Sequence, residues 1–313
     1  MKRIGFYHSV DPDGWCSGAL LHKYFELDGQ TGVHEGVEVK GIEIYGMDYD
    51  YEFPWDKIDK ETEVWMVDFS LSGKDMARLK EECFDLIWFD HHAPRLKEVE
   101  ELGLKIAGLQ SADAAGCDLL WSFLYPGEEN RAVYLIGRYD IWKWHDVPGA
   151  LEFNVGLRTR ECINDPTSPI WRTLLGKDSY YRDMEIAKLT ELGEQLLDYR
   201  NQGWWLYAKG HTFRTEFYAL ESMKNYSVGA CNTDSVNSQF FDGLAMQERF
   251  PDVDFFVTFA WKRGQWRLGL WKPEWLDNDI HCGEIAQKFG GGGHPGAAGF
   301  YRTEELGLPF ELK

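Results

Sequence analysis

The sequence predicts an α/β protein in three parts. A mostly parallel sheet organises an N-terminal domain over 1–180, a connector helix spans 181–203, and a smaller α/β domain with a mixed sheet fills 204–313. Three observations carry this reading. Short apolar runs alternate with helical patterns through the first half, as expected when strands are covered on both faces. One long amphipathic segment without proline follows. After it, the spacing of apolar residues changes to that of hairpin strands.

The elements follow in order. "KRIGFYH" (2–8) reads as a strand and 15–27 as a helix; "VKGIEIYG" (39–46) reads as a second strand. "EVWMVDF" (63–69) is a buried strand before a helix at about 72–83, and "FDLIWFD" (84–90) is another. "GLKIAGL" (103–109) gives one more strand, then a helix at 115–125. In 181–202, Met184, Ile186, Leu189, Leu192, Leu196 and Leu197 recur near helical spacing with charges between them. Beyond it, 212–220 and 226–232 read as strands and 236–249 as a helix. "DFFVTFAWKRGQWRLGLW" (254–271) reads as a hairpin turning at Arg263-Gly264, with Trp261 facing Trp266. A helix over 282–289 leads into a glycine run.

Composition narrows the function classes. With 44% hydrophobic and 27% charged residues the chain is an ordinary globular sequence. No apolar run spans a bilayer and none precedes a small-residue cleavage site, so a cytoplasmic protein with no membrane partner is expected. Six cysteines without a CxxC pair argue against a zinc ribbon or a disulfide framework. A net charge of −19 argues against long duplex nucleic acid, because gripping a polyphosphate needs a basic footprint. A small phosphorylated nucleotide or a short oligonucleotide is easier to reconcile with it. A homodimer is left open.

The chemistry concentrates at strand ends. The first strand ends "YHSVDPDG", placing His8, Asp11 and Asp13 in a loop entering a helix. Taken alone, Asp13 could be a helix N-cap and "DPDG" a turn. Asp68 follows a second apolar run and could cap the helix at 72; Asp90, His91 and His92 end a third run; "VYLIGRYDIW" delivers Asp140 after a fourth. Carboxyl ends of parallel strands meet on one edge, where ligands collect. Crowded, buried carboxylates repel and resist ionisation, and cations relieve both problems. The four charges of Asp11, Asp13, Asp68 and Asp140 would match two divalent ions. Carboxylate and imidazole without thiolate suit Mn²⁺, with Mg²⁺ next. Two such ions are the arrangement used for in-line phosphoryl transfer to water.

The series "HSVDPDG", "VDFS", "DHH" and "RYDIW", in that order, resembles the motifs of the DHH phosphoesterase family. "FGGGGHPGAAGF" (289–300) is similar to the signature of the DHH-associated domain that follows in many members, so the resemblance spans nearly the whole chain. It extends to RecJ-like proteins, nano-RNases and phosphoadenosine-phosphate phosphatases. It implies two Mn²⁺ ions, one held by His8, Asp11 and Asp68, the other by Asp13, Asp68, His91 and Asp140, with Asp68 shared. It implies His92 as the residue facing the phosphate and assisting the leaving side, with Asp90 orienting an imidazole. It implies Gly291, Gly292, Gly293 and His294 as contacts to phosphate or sugar over an interdomain cleft.

The resemblance departs at two points. The spacing from His8 to the first aspartate is one residue shorter than in the nano-RNase branch. Where that branch carries an arginine before the glycine loop, "LGLWKPE" offers Trp271 or Lys272, a point charge in place of a fork. Arg158, in "VGLRTRE", is a further candidate for phosphate. Among the tryptophans of the second half, Trp204, Trp205, Trp261, Trp266, Trp271 and Trp275 could stack on a base, although packing is the commoner use.

The expected activity is therefore manganese-dependent hydrolysis of a nucleotide or short oligonucleotide by attack of water. The alternatives are an inorganic pyrophosphatase-like hydrolase, a processive single-strand exonuclease, and a non-catalytic nucleotide sensor.

Overall fold

Thr62–Val67 and Asp85–Asp90 are apolar along most of their length because helices cover both faces of the sheet they build. The computed structural model describes residues 2–27, 32–34, 37–39, 41–218 and 225–312. The chain divides into two units, Met1–Leu197 and Asp198–Lys313. The first unit begins with β1 (Lys2–His8), α1 (Pro12–His22), a π-helical turn (Lys23–Leu27), β2 (Gly32–His34), β3 (Val37–Val39) and β4 (Glu43–Met47). It continues through β5 (Thr62–Val67), α2 (Gly73–Glu82), β6 (Asp85–Asp90), α3 (Ala93–Glu101), β7 (Ala107–Gln110) and α4 (Gly116–Leu124). Three helices follow: α5 (Arg131–Asp140), α6 (Ala150–Leu157) and α7 (Pro169–Leu174). Helix α8 (Ser179–His211) carries the chain past the division between the units.

The main sheet has the order β4-β1-β5-β6-β7 and every pairing in it is parallel. Counting only its own strands, this is the 2-1-3-4-5 order, whose topological switch point lies between β1 and β5. Side chains alternate between the two faces. Ile4, Phe6, Val64, Met66, Leu86 and Trp88 pack with Met76 and Leu79 of α2 and Val99 of α3. Trp65, Val67, Ile87 and Phe89 pack on the other face with residues of α1, α4, α5 and α6. Two separate apolar layers thus hold the strand tips in fixed positions.

The second unit comprises β8 (Thr212–Tyr218), β9 (Asn225–Asn232), α9 (Ser238–Asp242), α10 (Leu244–Arg249), β10 (Phe255–Lys262), β11 (Gln265–Trp271), α11 (Cys282–Gln287), β12 (Gly292–Gly293) and β13 (Ala297–Arg302). Its sheet is mixed, β12-β13-β11-β10-β9-β8, with only β9 and β10 parallel. Arg263 and Gly264 both have positive φ, 51° and 81°, the pairing of a tight hairpin turn. Trp261 opposes Trp266, their rings 5.2 Å apart.

Several sequence expectations need correction. The first helix starts at Pro12 rather than 15, because Asp11 caps it by accepting the Gly14 N–H. The strand expected over 39–46 is β4, starting at Glu43; its residue 40 lies outside the described residues, as do 219–220 of the strand expected over 212–220. The helix expected over 236–249 is broken at Gly243, whose backbone is extended. The connector helix runs from Ser179 to His211, longer than 181–203. Helices α3, α5, α6 and α7 were not anticipated.

Candidate metal centre

His8 ends β1 and Asp68 follows β5, so the two flank the switch point of the sheet. Asp90 ends β6 and sets His91 and His92 at the adjacent tip. The loop after β1 brings Asp11 beside His8, with Asp11 Oδ2 2.7 Å from His8 Nδ1. That contact lacks hydrogen-bond alignment, and His8 Nδ1 is buried without a hydrogen-bond partner. Asp68 Oδ2 lies 3.8 Å from the same nitrogen. On the other side, His91 Nε2 lies 3.2 Å from Asp68 Oδ1, 3.1 Å from Asp140 Oδ2 and 3.6 Å from Asp13 Oδ2. Asp68 therefore turns one oxygen to each group. Donor atoms of His8, Asp11 and Asp68 lie within 4.8 Å of one another, as do those of Asp13, His91 and Asp140, and those of Asp68, His91 and His92.

Local structure explains each placement. Ser72, not Asp68, caps α2, accepting the Asp75 N–H. Asp68 has φ of 51°, sits 1% exposed, and neither carboxylate oxygen has a hydrogen-bond partner. A strained backbone and two orphaned oxygens in one buried residue are costly unless something else satisfies them. Asp13 is fully buried, and its two oxygens accept the Gly116 and Cys117 N–H groups at the start of α4, each at 2.7 Å. A Cβ on Gly116 would lie 2.6 Å from the Asp68 Cβ, so only glycine allows α4 this close. Asp140 ends α5, where the helix dipole disfavours a carboxylate.

The electrostatics follow from the crowding. Burial, then the charges of Asp13, Asp11 and Asp140, push the Asp68 carboxyl well above the usual carboxylate range. Burial and the charges of Asp13 and Asp11 do the same to Asp140. Burial works against the ionised form of Asp11 too, but the adjacent His8, the Gly14 N–H and the Arg158 charge bring its pKa below the usual value. Burial lowers the pKa of His91. Imidazoles and carboxylates crowded past what hydrogen bonds satisfy form a donor set that divalent cations fit.

The remaining candidates fall in different places. Asp90 is 0% exposed; its Oδ1 accepts the His91 and His92 N–H groups and lies 2.7 Å from His92 Nδ1, so the imidazole it orients is that of His92. Arg158 is exposed, 5.5 Å over the Trp15 ring, and its charge reaches Asp11 and Asp140. In the second unit, the Lys272 ammonium donates to the Asn278 carbonyl. Gly291 donates its N–H to Ala286, Gly292 and Gly293 pair with β13, and His294 is exposed with its N–H on the Ala297 carbonyl. Trp204 packs on Phe240 and Trp271 on Phe241, while Trp205 and Trp261 are 46% exposed.

Two residues near the centre were missed by the sequence reading. Asp118 is pushed up to about 7 by burial and by Asp13, against the pull of Arg138 at 3.3 Å. The Tyr49 ring lies 5.5 Å from the His8 ring and 6.3 Å from that of His92. Neither sits at the end of an apolar run, the one signal available for finding ligands in the sequence. The six cysteines are free, and all but Cys162 are buried.

A parallel 2-1-3-4-5 sheet with Asp-His-His at its fourth tip, followed by a mixed-sheet unit, defines the class: the chain has the DHH-domain fold. A DHH domain from a member of a family of ribosomal proteins overlays with a TM-score of 0.56 at 11% identity, covering 98% of this chain and 84% of that one. Looser overlays include the pGpG-specific phosphodiesterase PggH from Vibrio cholerae (TM-score 0.41, 14% identity, 97% of this chain and 94% of that one). RecJ from Thermus thermophilus in complex with Mn²⁺ gives 0.44 at 15% identity, covering 97% and 50%. In sequence, the chain is 24% identical to the uncharacterized protein R106 of Acanthamoeba polyphaga mimivirus, covering 98% of this chain and 69% of that protein. No family model matches the chain.

Proposed function

We propose that this protein is a divalent-metal-dependent phosphoesterase that hydrolyses a nucleotide or short oligonucleotide, with Mn²⁺ as the working ion and Mg²⁺ as its substitute. The observation that carries the reading is Asp68: buried, strained, with two unpartnered oxygens, each facing a separate His/Asp group. His8, Asp11 and Asp68 would hold one ion; Asp13, Asp68, His91 and Asp140 would hold the other. When bound, such ions lower the pKa of water and neutralise phosphate charge. The chain's own residues do the rest. Asp90 fixes the His92 ring and leaves Nε2 free to deliver a proton to the departing oxygen. Arg158 is placed to offset phosphate charge from the rim. Lys272, Gly291, Gly292, Gly293 and His294 complete the proposal as substrate contacts. The net charge of −19 supports a small substrate over a long one. Among the described residues, no helix is long and apolar enough to cross a membrane.

The test is product analysis by chromatography with Mn²⁺ present. The panel holds short 5′-labelled RNA, cyclic dinucleotides, 3′-phosphoadenosine 5′-phosphate and pyrophosphate. Mononucleotide release fastest from the shortest RNA, or phosphate release from the nucleotide, supports the reading. Turnover of pyrophosphate alone replaces it with a pyrophosphatase, and no turnover with metal bound replaces it with a sensor.

Metal also changes stability in a pH-dependent way. Asp68 and Asp140 have folded-state pKa values above the usual range, so the stability they contribute is present at low pH. It is lost as pH rises through those raised values. Cations bind the ionised forms and reverse the loss. The gain in melting temperature on adding Mn²⁺ is therefore expected to grow as pH rises above the ordinary carboxylate range, with about 2.7 kcal/mol gained at 100 times Kd. Scanning calorimetry of metal-free and Mn²⁺-loaded protein measures it; a gain that does not vary with pH contradicts the ligand assignment.

A further inference from the structure

Helix α5 ends in a way that costs stability and exposes a tryptophan. Lys143 donates its N–H to the Arg138 carbonyl and Trp142 donates to that of Tyr139, the paired bonds of a Schellman ending with Ile141 as C-cap. The residue after the C-cap takes the left-handed conformation there, and glycine is its usual occupant. Here it is Trp142, with φ of 61°. A bulky side chain in that conformation is strained. No burial repays the strain, since Trp142 is 69% exposed. It stands two residues beyond Asp140 of the metal centre. Tyr49, 47% exposed, rests on Phe69 at 5.2 Å and touches the rings of His8 and His92. Tyr49 thus adjoins the Asp/His cluster with about half its surface free, and an exposed tryptophan follows one of the cluster's residues by two positions in the chain.

We infer that Trp142 and Tyr49 form a base-binding rim, on which the heterocycle of a nucleotide stacks while its phosphate meets the Asp/His cluster. This rests on the phosphoesterase reading and adds to it a site for the base within the first unit. Stacking suits the location. An aromatic face binds any base without needing a charge of its own.

The test compares AMP with ribose 5-phosphate, which lacks the base, by titration calorimetry on Mn²⁺-loaded protein. Wild type is expected to prefer AMP by about tenfold or more, the size of one stacking contact. In Trp142→Gly that preference falls several-fold, and Tyr49→Leu removes part of it independently. Trp142→Gly also keeps or raises the melting temperature, by about 2 °C or more, because glycine accepts the left-handed position. Loss of base preference together with unimpaired stability marks a residue kept for binding. If ribose 5-phosphate binds wild type as tightly as AMP, or if Trp142→Gly keeps the full preference, the rim is not a base site while the phosphoesterase reading stands. If Mn²⁺-loaded protein binds neither ligand, both readings fall.

Discussion

Asp68→Asn is expected to lower kcat/KM for the best nucleotide substrate by at least about 10³-fold, because the residue would serve both ions and each supplies several kcal/mol of charge stabilisation. The fold survives the change. Asparagine takes the left-handed conformation that Asp68 adopts at φ 51° no less readily than aspartate does, so the substitution adds no backbone strain. The backbone N–H of residue 68 keeps its 2.8 Å bond to the Phe89 carbonyl. The side chain keeps its size, and a carboxyl that burial and the charges of Asp13, Asp11, Asp140 and Asp90 hold against ionisation gives way to a neutral amide. Metal-free Asp68→Asn is therefore expected to melt no lower than wild type, whereas its stabilisation by Mn²⁺ collapses. Kinetics, calorimetry and metal analysis of one purified variant check all three. Hydrolysis at the wild-type rate would show that Asp68 holds no metal. A sharply lowered melting temperature in the metal-free state would show that its carboxylate is structural.

Parallel topology made much of this centre legible in the sequence. His8, Asp68 and the Asp90-His91-His92 run each terminate an apolar segment, and strands of one direction bring such ends to one edge. Asp140 was singled out for the same reason, yet its carrier is a helix. In α5, Ala132, Val133, Leu135 and Ile136 are the buried set, a helical spacing. A short apolar run does not distinguish a strand from a buried helix. Asp13 was harder. Its neighbour Asp11 takes the cap, and Asp13 turns inward to meet N–H groups more than a hundred residues away. Local propensity holds no record of such a contact. Tyr49 was illegible for another reason: it lies in a turn whose position follows from how β4 ends, while Trp142 closes the "RYDIW" run but was given no role there.

The leaving side offers the second large effect. His92→Gln is expected to lower kcat on a nucleotide substrate by about 10²–10⁴-fold, the usual contribution of a positioned general acid. Asp90 is what makes His92 suited to that role. Burial would lower the pKa of His92, but the Asp90 carboxylate 2.7 Å from Nδ1 raises it above the ordinary value. That contact favours the protonated ring and occupies Nδ1, so Nε2 is the nitrogen left to give up a proton. Asp90 stays ionised, its pKa brought down despite burial by His92 and by the N–H groups of His91 and His92. If His92 is the general acid, a nucleoside alkoxide takes its proton on departing, whereas p-nitrophenolate leaves without one. The loss in His92→Gln should accordingly be far smaller on a p-nitrophenyl phosphoester than on a dinucleotide, with metal content unchanged. His92 also lies in reach of Asp68 and His91 as a ligand. If the two substrates suffer equally and bound metal falls, His92 is a ligand and the proton must come from elsewhere.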